Sequence, residues 1–185
     1  EYKMYIVSGL ERSGTSLMMQ ILENACLNVC YDFSRKPDVH NPNGYYELFD
    51  GKIIYELLNE KFDEDIYDDK IIKITAYGLH MLKETNHKVI YMIRDLDEVI
   101  DSQEKMINNR IYKDRNNVYD LLNKLNNETI DLLRKNNIQH VIIDYNAMIN
   151  NPKKELRKLG DFLGKDVTHC YHVIDKSLYR NRNTK

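Results

Sequence analysis

The 185-residue chain is long enough for one domain with a sizeable core, and its 42% hydrophobic and 30% charged residues match the composition of a soluble globular protein. A net charge of −2 argues against a general nucleic-acid binder, which would carry a strongly basic domain or stripe. Cys26, Cys30 and Cys170 form no disulfide framework, no apolar run is long enough to span a membrane, and no secretory signal precedes the first predicted strand, so a cytoplasmic protein is expected.

Residues 5–22, YIVSGLERSGTSLMMQIL, open the regular structure. The apolar run from Tyr5 to Val7 predicts a strand, SGLERSGTS a loop, and Leu17, Met18, Ile21 and Leu22 one face of a helix. A helix start leaves backbone N–H groups unpaired, here at Gly14, Thr15 and Ser16, where the macrodipole also favours an anion. Gly9 and Gly14 permit a tight turn and close approach of the backbone to a phosphate. The spacing nearly matches GxxxxGK[ST], the nucleotide-binding P-loop, but Thr15 stands in place of the lysine and the nearest cation is Arg12, inside the loop.

Residues 27–31 (LNVCY) are a candidate second strand. The stretch 32–50 contains Pro37, Pro42 and Gly44, which exclude regular structure, and gathers Asp32, Arg35, Lys36, Asp38, His40 and Glu47. An amphipathic helix is predicted over 46–62, with Phe49, Ile53, Leu57 and Leu58 on its apolar side, and an acidic surface run covers 59–70. KIIKIT (70–75) predicts a buried strand ending near Lys73, and 77–86 a short helix. HKVIYMIR (87–94) suits a central parallel strand covered on both faces, with Arg94 at its carboxyl end. The following DLDEVIDSQEKMI is helical by the placement of Leu96, Val99, Ile100 and Ile107; acidic residues suit its first turn, and Ser102 follows Arg94 by eight residues.

A long helix over 114–136 carries the stripe Val118, Leu121, Leu122, Leu125, Leu132 and Leu133, and QHVIID (139–144) predicts another strand. A last helix is bracketed by Pro152 and Gly164. From Asn151 onward the chain is basic, and its end brings Arg180 and Arg182. Alternating strands and helices predict one α/β domain over residues 1–185, P-loop NTPase-like, with a mostly parallel sheet flanked by helices and the site at the carboxyl ends of the strands.

Three motifs, in order along the chain, resemble one family. The loop RSGTS after the first strand resembles the 5′-phosphosulfate loop of the sulfotransferases, which use 3′-phosphoadenosine 5′-phosphosulfate (PAPS), and the short chain is similar to their small bacterial-type members. The arrangement strand–R-D-x-x-E-V-x-x-S resembles their second motif, in which residues matching Arg94 and Ser102 hold the 3′-phosphate. DYNAMINNPKKELRKLGDFLG resembles their Tyr-Glu-Asp…Asn-Pro…Phe-Leu-Gly segment; Tyr145 falls on the tyrosine beside the adenine, whereas Asn146 and Ala147 depart from the acidic pair. The resemblance implies PAPS binding by Arg12, Ser13, Gly14, Thr15, Ser16, Arg94, Ser102 and Tyr145, with Arg180 and Arg182 as second clamps on the 3′-phosphate. It also implies that Lys73 lies near the transferred group, although Thr75 replaces the histidine that the hydroxysteroid and phenol sulfotransferases carry two residues later.

The implied activity is in-line transfer of a sulfuryl group to a hydroxyl or amine of a small-molecule, glycan or peptide acceptor, with Arg12 and Lys73 stabilising charge. Glu47 is the first candidate for general base, Asp32 the second and His40 the third. No metal is required: Cys26, Cys30, His169, Cys170 and His172 lack the paired spacing of a structural zinc site. Two other readings stand beside this one. A P-loop kinase or nucleoside triphosphatase would use Asp144 as a Mg²⁺ acid but lacks the loop lysine, and a non-catalytic nucleotide-binding module would keep the loop without turnover.

Overall fold

In the computed structural model, residues 2–107 and 111–179 are described. Four strands, β1 (Tyr5–Gly9), β2 (Ile71–Lys73), β3 (Lys88–Ile93) and β4 (Gln139–Asp144), form one parallel sheet in the order β2-β1-β3-β4. Tyr5 pairs with Ile71 on one side and with Lys88 on the other, and Lys88 in turn with Gln139. Every strand therefore ends at the same edge of the sheet. The chain leaves β1 toward β2 and then crosses back to β3, so the loop after β1 lies where the direction of winding reverses, the usual place for a ligand in such sheets.

The helices are α1 (Thr15–Asn24), α2 (Ile53–Leu58), α3 (Ala76–Leu79), α4 (Leu96–Met106), α5 (Arg115–Lys135), α6 (Tyr145–Asn150) and α7 (Pro152–Leu163). Because strand side chains alternate between faces, two cores form. On one face Val7, Ile90, Met92 and Ile143 pack against Met18 and Leu22 of α1, Met148 of α6, and Leu156 and Leu159 of α7. On the other, Ile6, Ile72, Val89 and Tyr91 pack against Ile53 of α2, Leu79 of α3 and Leu133 of α5. Sidedness decides which of the predicted apolar positions are covered: Leu121 is 57% and Leu58 is 61% exposed, although both belong to predicted core stripes.

Asp95, Asp114 and Asp144 cap α4, α5 and α6, each accepting from the backbone N–H three residues on. Pro152 opens α7, and Gly164 closes it in the left-handed region at φ 67°. Three predicted elements are corrected, the first being the helix predicted over 77–86, of which only α3, Ala76–Leu79, forms. Residues 27–31 contribute only a bridge, Val29 to Ile71, extending the sheet by one pair beside β2. The helix predicted over 46–62 is cut to α2, because Tyr46, Phe49 and Asp50 all have positive φ and a 3-10 turn occupies Phe49–Gly51.

At the end of β1, Gly9 has φ 148°, and a Cβ there would lie 2.6 Å from the carbonyl oxygen of Met92 and 2.5 Å from Ser13 Oγ. That contact is with the backbone of the neighbouring strand, which cannot yield without breaking the sheet. Gly9→Ala is therefore expected to destabilise the fold by roughly 1–3 kcal/mol in a denaturant titration.

Candidate functional site

At the carboxyl edge of the sheet the loop after β1 turns tightly. Ser13 N and Ser13 Oγ both donate to Leu10 O, at 3.2 and 2.6 Å, and Arg12 takes φ 71°. Gly14 stands at the start of α1 with φ 98°, and no side chain caps the helix. Its missing side chain is required, since a Cβ would come within 2.3 Å of Tyr145 Cδ2. The first turn of α1 thus faces a cleft of about 300 Å³, lined there by Gly14, Thr15, Ser16 and Tyr145. Its N–H groups have no partner within the helix, which makes the turn a receptor for an anion.

The cleft is rich in cations. Arg12, Arg35, Lys73, Arg94 and Lys105 line it, against the carboxylates of Glu11, Glu47 and Asp175. Arg12 reaches across, donating from Nε to Ser102 Oγ at 2.9 Å and from Nη2 to His40 O at 2.9 Å. Burial pushes the Arg12 pKa down, the Tyr45 phenol opposes this, and Arg94 nearby adds to the lowering. An incoming anion would relieve that repulsion.

On the β2 side, Lys73 is only 6% exposed. Its ammonium donates to Tyr45 O and to Ser16 Oγ (3.3 Å) and pairs with Glu47 Oε1 at 3.1 Å. Burial lowers its pKa to about 8, with Glu47 opposing the shift and Arg35 and Arg12 adding to it. Glu47 Oε2 also pairs with Arg35 Nη1 at 2.6 Å, and the Arg35 guanidinium lies 3.6 Å from the centroid of the Tyr45 ring. Gly51 makes room for this pair, as a Cβ there would be 2.7 Å from Glu47 Oε2. Thr75, at the start of α3, lines the same part of the cleft.

On the β3 side, Arg94 leaves the strand end and is held from two directions. Nε donates to Glu98 Oε2 at 3.1 Å and Nη1 to Arg12 O at 3.0 Å, while its guanidinium lies 4.6 Å from the Tyr145 ring centroid. Arg94, Ser102 and Tyr145 face the cleft together with the α1 turn.

The structure thus gathers Arg12, Gly14, Thr15, Ser16, Glu47, Lys73, Arg94, Ser102 and Tyr145 around one cleft, and His40 joins them. Two other predicted residues lie apart from the cleft lining. Ser13 is buried beneath the loop with its hydroxyl on Leu10 O. Asp32 accepts from Ser34 N, Ser34 Oγ and Phe49 N; burial pushes its pKa up, but these bonds hold it below the ordinary aspartate value. It fastens the 32–50 loop. Arg180 and Arg182 fall outside the described residues. Asp144 spends its carboxylate on the α6 cap, accepting from Ala147 N at 3.0 Å. Sequence reasoning missed Tyr45, whose carbonyl anchors Lys73, and Glu98, which stands in the sequence only as one of the first-turn acids of α4 and is 2% exposed.

Residues 3–184 match the profile of the family described as "Sulfotransferase domain". Among solved structures, the chain resembles the sulfotransferase domain from the Synechococcus PCC 7002 olefin synthase, with a TM-score of 0.55, 19% identity and coverage of 100% of this chain and 80% of that one. It also resembles mouse sulfotransferase SULT7A1 complexed with PAP, with a TM-score of 0.52, 14% identity and coverage of 100% and 67%. At these identities the likeness is one of fold. No curated protein sequence matches the chain.

The Lys73 amine is expected to titrate near pH 8 in a 13Cε NMR titration assigned by a Lys73→Met variant. Because its folded pKa lies below the ordinary lysine value of 10.5, the unfolded chain holds that proton longer, so this group's contribution to stability rises with pH between about 8 and 10.5. Glu47→Gln removes the opposing carboxylate and should move the titration further down; an upward shift would contradict the ion pair.

Proposed function

The chain belongs to the sulfotransferase domain family, so its chemistry is sulfuryl transfer, and we propose that it takes the sulfuryl group from PAPS and passes it to a hydroxyl or amine acceptor. The observation that carries this reading is the cleft itself. An uncapped helix start, Gly14 without room for a side chain, and Arg94 and Ser102 lining the same opening support a reading of two anion sites on one surface. A nucleotide with phosphates at both its 5′ and 3′ positions matches two such sites. When bound, PAPS supplies the sulfuryl group, whose S–O bond to the 5′-phosphate breaks as the acceptor's oxygen or nitrogen bonds to sulfur, leaving 3′-phosphoadenosine 5′-phosphate (PAP).

The chain's own groups then divide the work. Backbone N–H groups of Gly14, Thr15 and Ser16 receive the 5′-phosphate, and Arg12 adds a guanidinium at the loop. The Lys73 ammonium, with a pKa of about 8, is mostly charged at neutral pH and steadies negative charge on the oxygen that is left behind. Arg94 and Ser102 select the 3′-phosphate through a charged fork and a neutral hydroxyl. Tyr145 offers an aromatic face for the adenine. Glu47 is the general base: it faces the cleft, paired with Arg35 and Lys73, and it accepts the acceptor's proton as the new bond forms. His40 contributes its carbonyl to Arg12. Arg180 and Arg182 are candidates for covering the 3′-phosphate.

The test needs no acceptor. In calorimetric titrations with PAP, AMP and Mg·ATP run in parallel, PAP should bind tightly and AMP weakly, because only PAP carries the 3′-phosphate. Arg94→Ala should cost PAP roughly 1.5–3 kcal/mol of binding, the worth of a charged hydrogen-bond partner, and leave AMP nearly unchanged. Preference for Mg·ATP would instead identify a triphosphate enzyme.

A further inference from the structure

Arg94 is positioned by a set of side chains that stand behind the cleft wall, and the set has a feature that its sequence pattern does not announce. Asp95 and Glu98 occupy the cap and third positions of α4, the places of a capping box. Half of the box is present, with Asp95 Oδ1 accepting from Glu98 N at 3.1 Å. In the full motif the Glu carboxylate would reach back to Asp95 N–H. Here Asn146 Oδ1 accepts that N–H at 3.0 Å instead. Glu98 turns inward, 2% exposed, and its Oε2 accepts from Arg94 Nε at 3.1 Å.

A buried carboxylate in contact with an arginine needs its remaining lone pairs satisfied. Asn146 does this as well: Nδ2 donates to Glu98 Oε2 at 2.9 Å and to the Tyr179 hydroxyl at 2.7 Å, and Tyr179 donates to Glu98 Oε1 at 2.6 Å. Tyr179 closes the cluster from the other side, its ring 5.7 Å from both the Arg94 guanidinium and the Tyr145 ring. Asn146 therefore accepts from one neighbour and donates to two others. Only an amide can do both; an aspartate at this position would set a second carboxylate against Glu98 and lose both donors.

We infer that Asn146, Glu98 and Tyr179 are positioning residues for the 3′-phosphate site: Asn146 takes over the helix cap so that Glu98 can fix the plane of the Arg94 guanidinium, and Tyr179 ties the C-terminal segment to the same carboxylate. None of the three lines the cleft. Their effect on a ligand passes through Arg94. The inference rests on the reading of Arg94 as the reader of a 3′-phosphate.

The test uses PAP and AMP as probes with the full chain. Asn146→Asp should lower PAP affinity about tenfold or more while AMP affinity stays within about twofold, since only PAP engages Arg94 through the 3′-phosphate. Tyr179→Phe, which removes one hydroxyl and leaves the fold intact, should reduce the PAP-to-AMP preference in the same direction by a smaller factor. A preference unchanged in both variants, or PAP and AMP falling together, overturns the inference while the 3′-phosphate reading stands. A wild-type chain that does not distinguish PAP from AMP overturns the reading of Arg94 and the inference with it.

Discussion

The whole site depends on the position of β1 between β2 and β3. Because both neighbours are parallel to it and the chain reverses its winding there, the loop after β1, Lys73 from β2 and Arg94 from β3 all emerge at one edge. The register is what brings them together. Val7 pairs with Lys73 and Gly9 with Met92, so the lysine and the arginine lie on opposite flanks of the same turn. Gly9 and Gly14 let the backbone through at points where Met92 and Tyr145 leave no room for a Cβ. A slip of one residue would reverse the face of every side chain in the strand and dissolve the arrangement.

Electrostatics then sets how the cleft is held while it waits for an anion. Five basic side chains among the described residues line it, and burial, with a smaller contribution from neighbouring cations, lowers the pKa of Lys73 and Arg12. Two carboxylates counter this from different directions. Glu47 pairs with Arg35 and Lys73 on the β2 side, and Glu98 pairs with Arg94 on the β3 side. The 32–50 loop is joined to the loop after β1 and the start of α1 by Arg12 to His40 O, Asn41 Nδ2 to Ser16 Oγ at 2.9 Å and Ser16 Oγ to Tyr45 O at 3.2 Å, and to β2 by Lys73 to Tyr45 O. The two sides of the cleft thus share one hydrogen-bond network, and a disturbance on either side reaches the other.

Much of this was legible in the residues. Glycine spacing, an uncapped helix start and an arginine at the end of an apolar strand are local features, and each fell where the alternation of strands and helices predicted. What escaped was set by tertiary placement. The amphipathic spacing of 46–62 is real, but Tyr46, Phe49 and Asp50 adopt left-handed backbone that no apolar period reveals. Asp32 and Glu47 are both carboxylates on one loop, and only the fold turns the first toward Ser34 and Phe49 and the second toward Lys73. Glu98 at a helix start suits the dipole equally well in water or beside Arg94. Ser13 belongs to the loop motif, yet its hydroxyl is consumed in shaping the turn.

The central claim is that one nucleotide spans both anion sites of this cleft, and a crystal structure of the complex with PAP tests it most directly. The account predicts the 5′-phosphate on the backbone N–H groups of residues 14–16, the 3′-phosphate within hydrogen-bond reach of Arg94 and Ser102, and the adenine beside Tyr145. A nucleotide bound with Arg94 and Ser102 both out of contact with phosphate, or with the start of α1 empty, would contradict it.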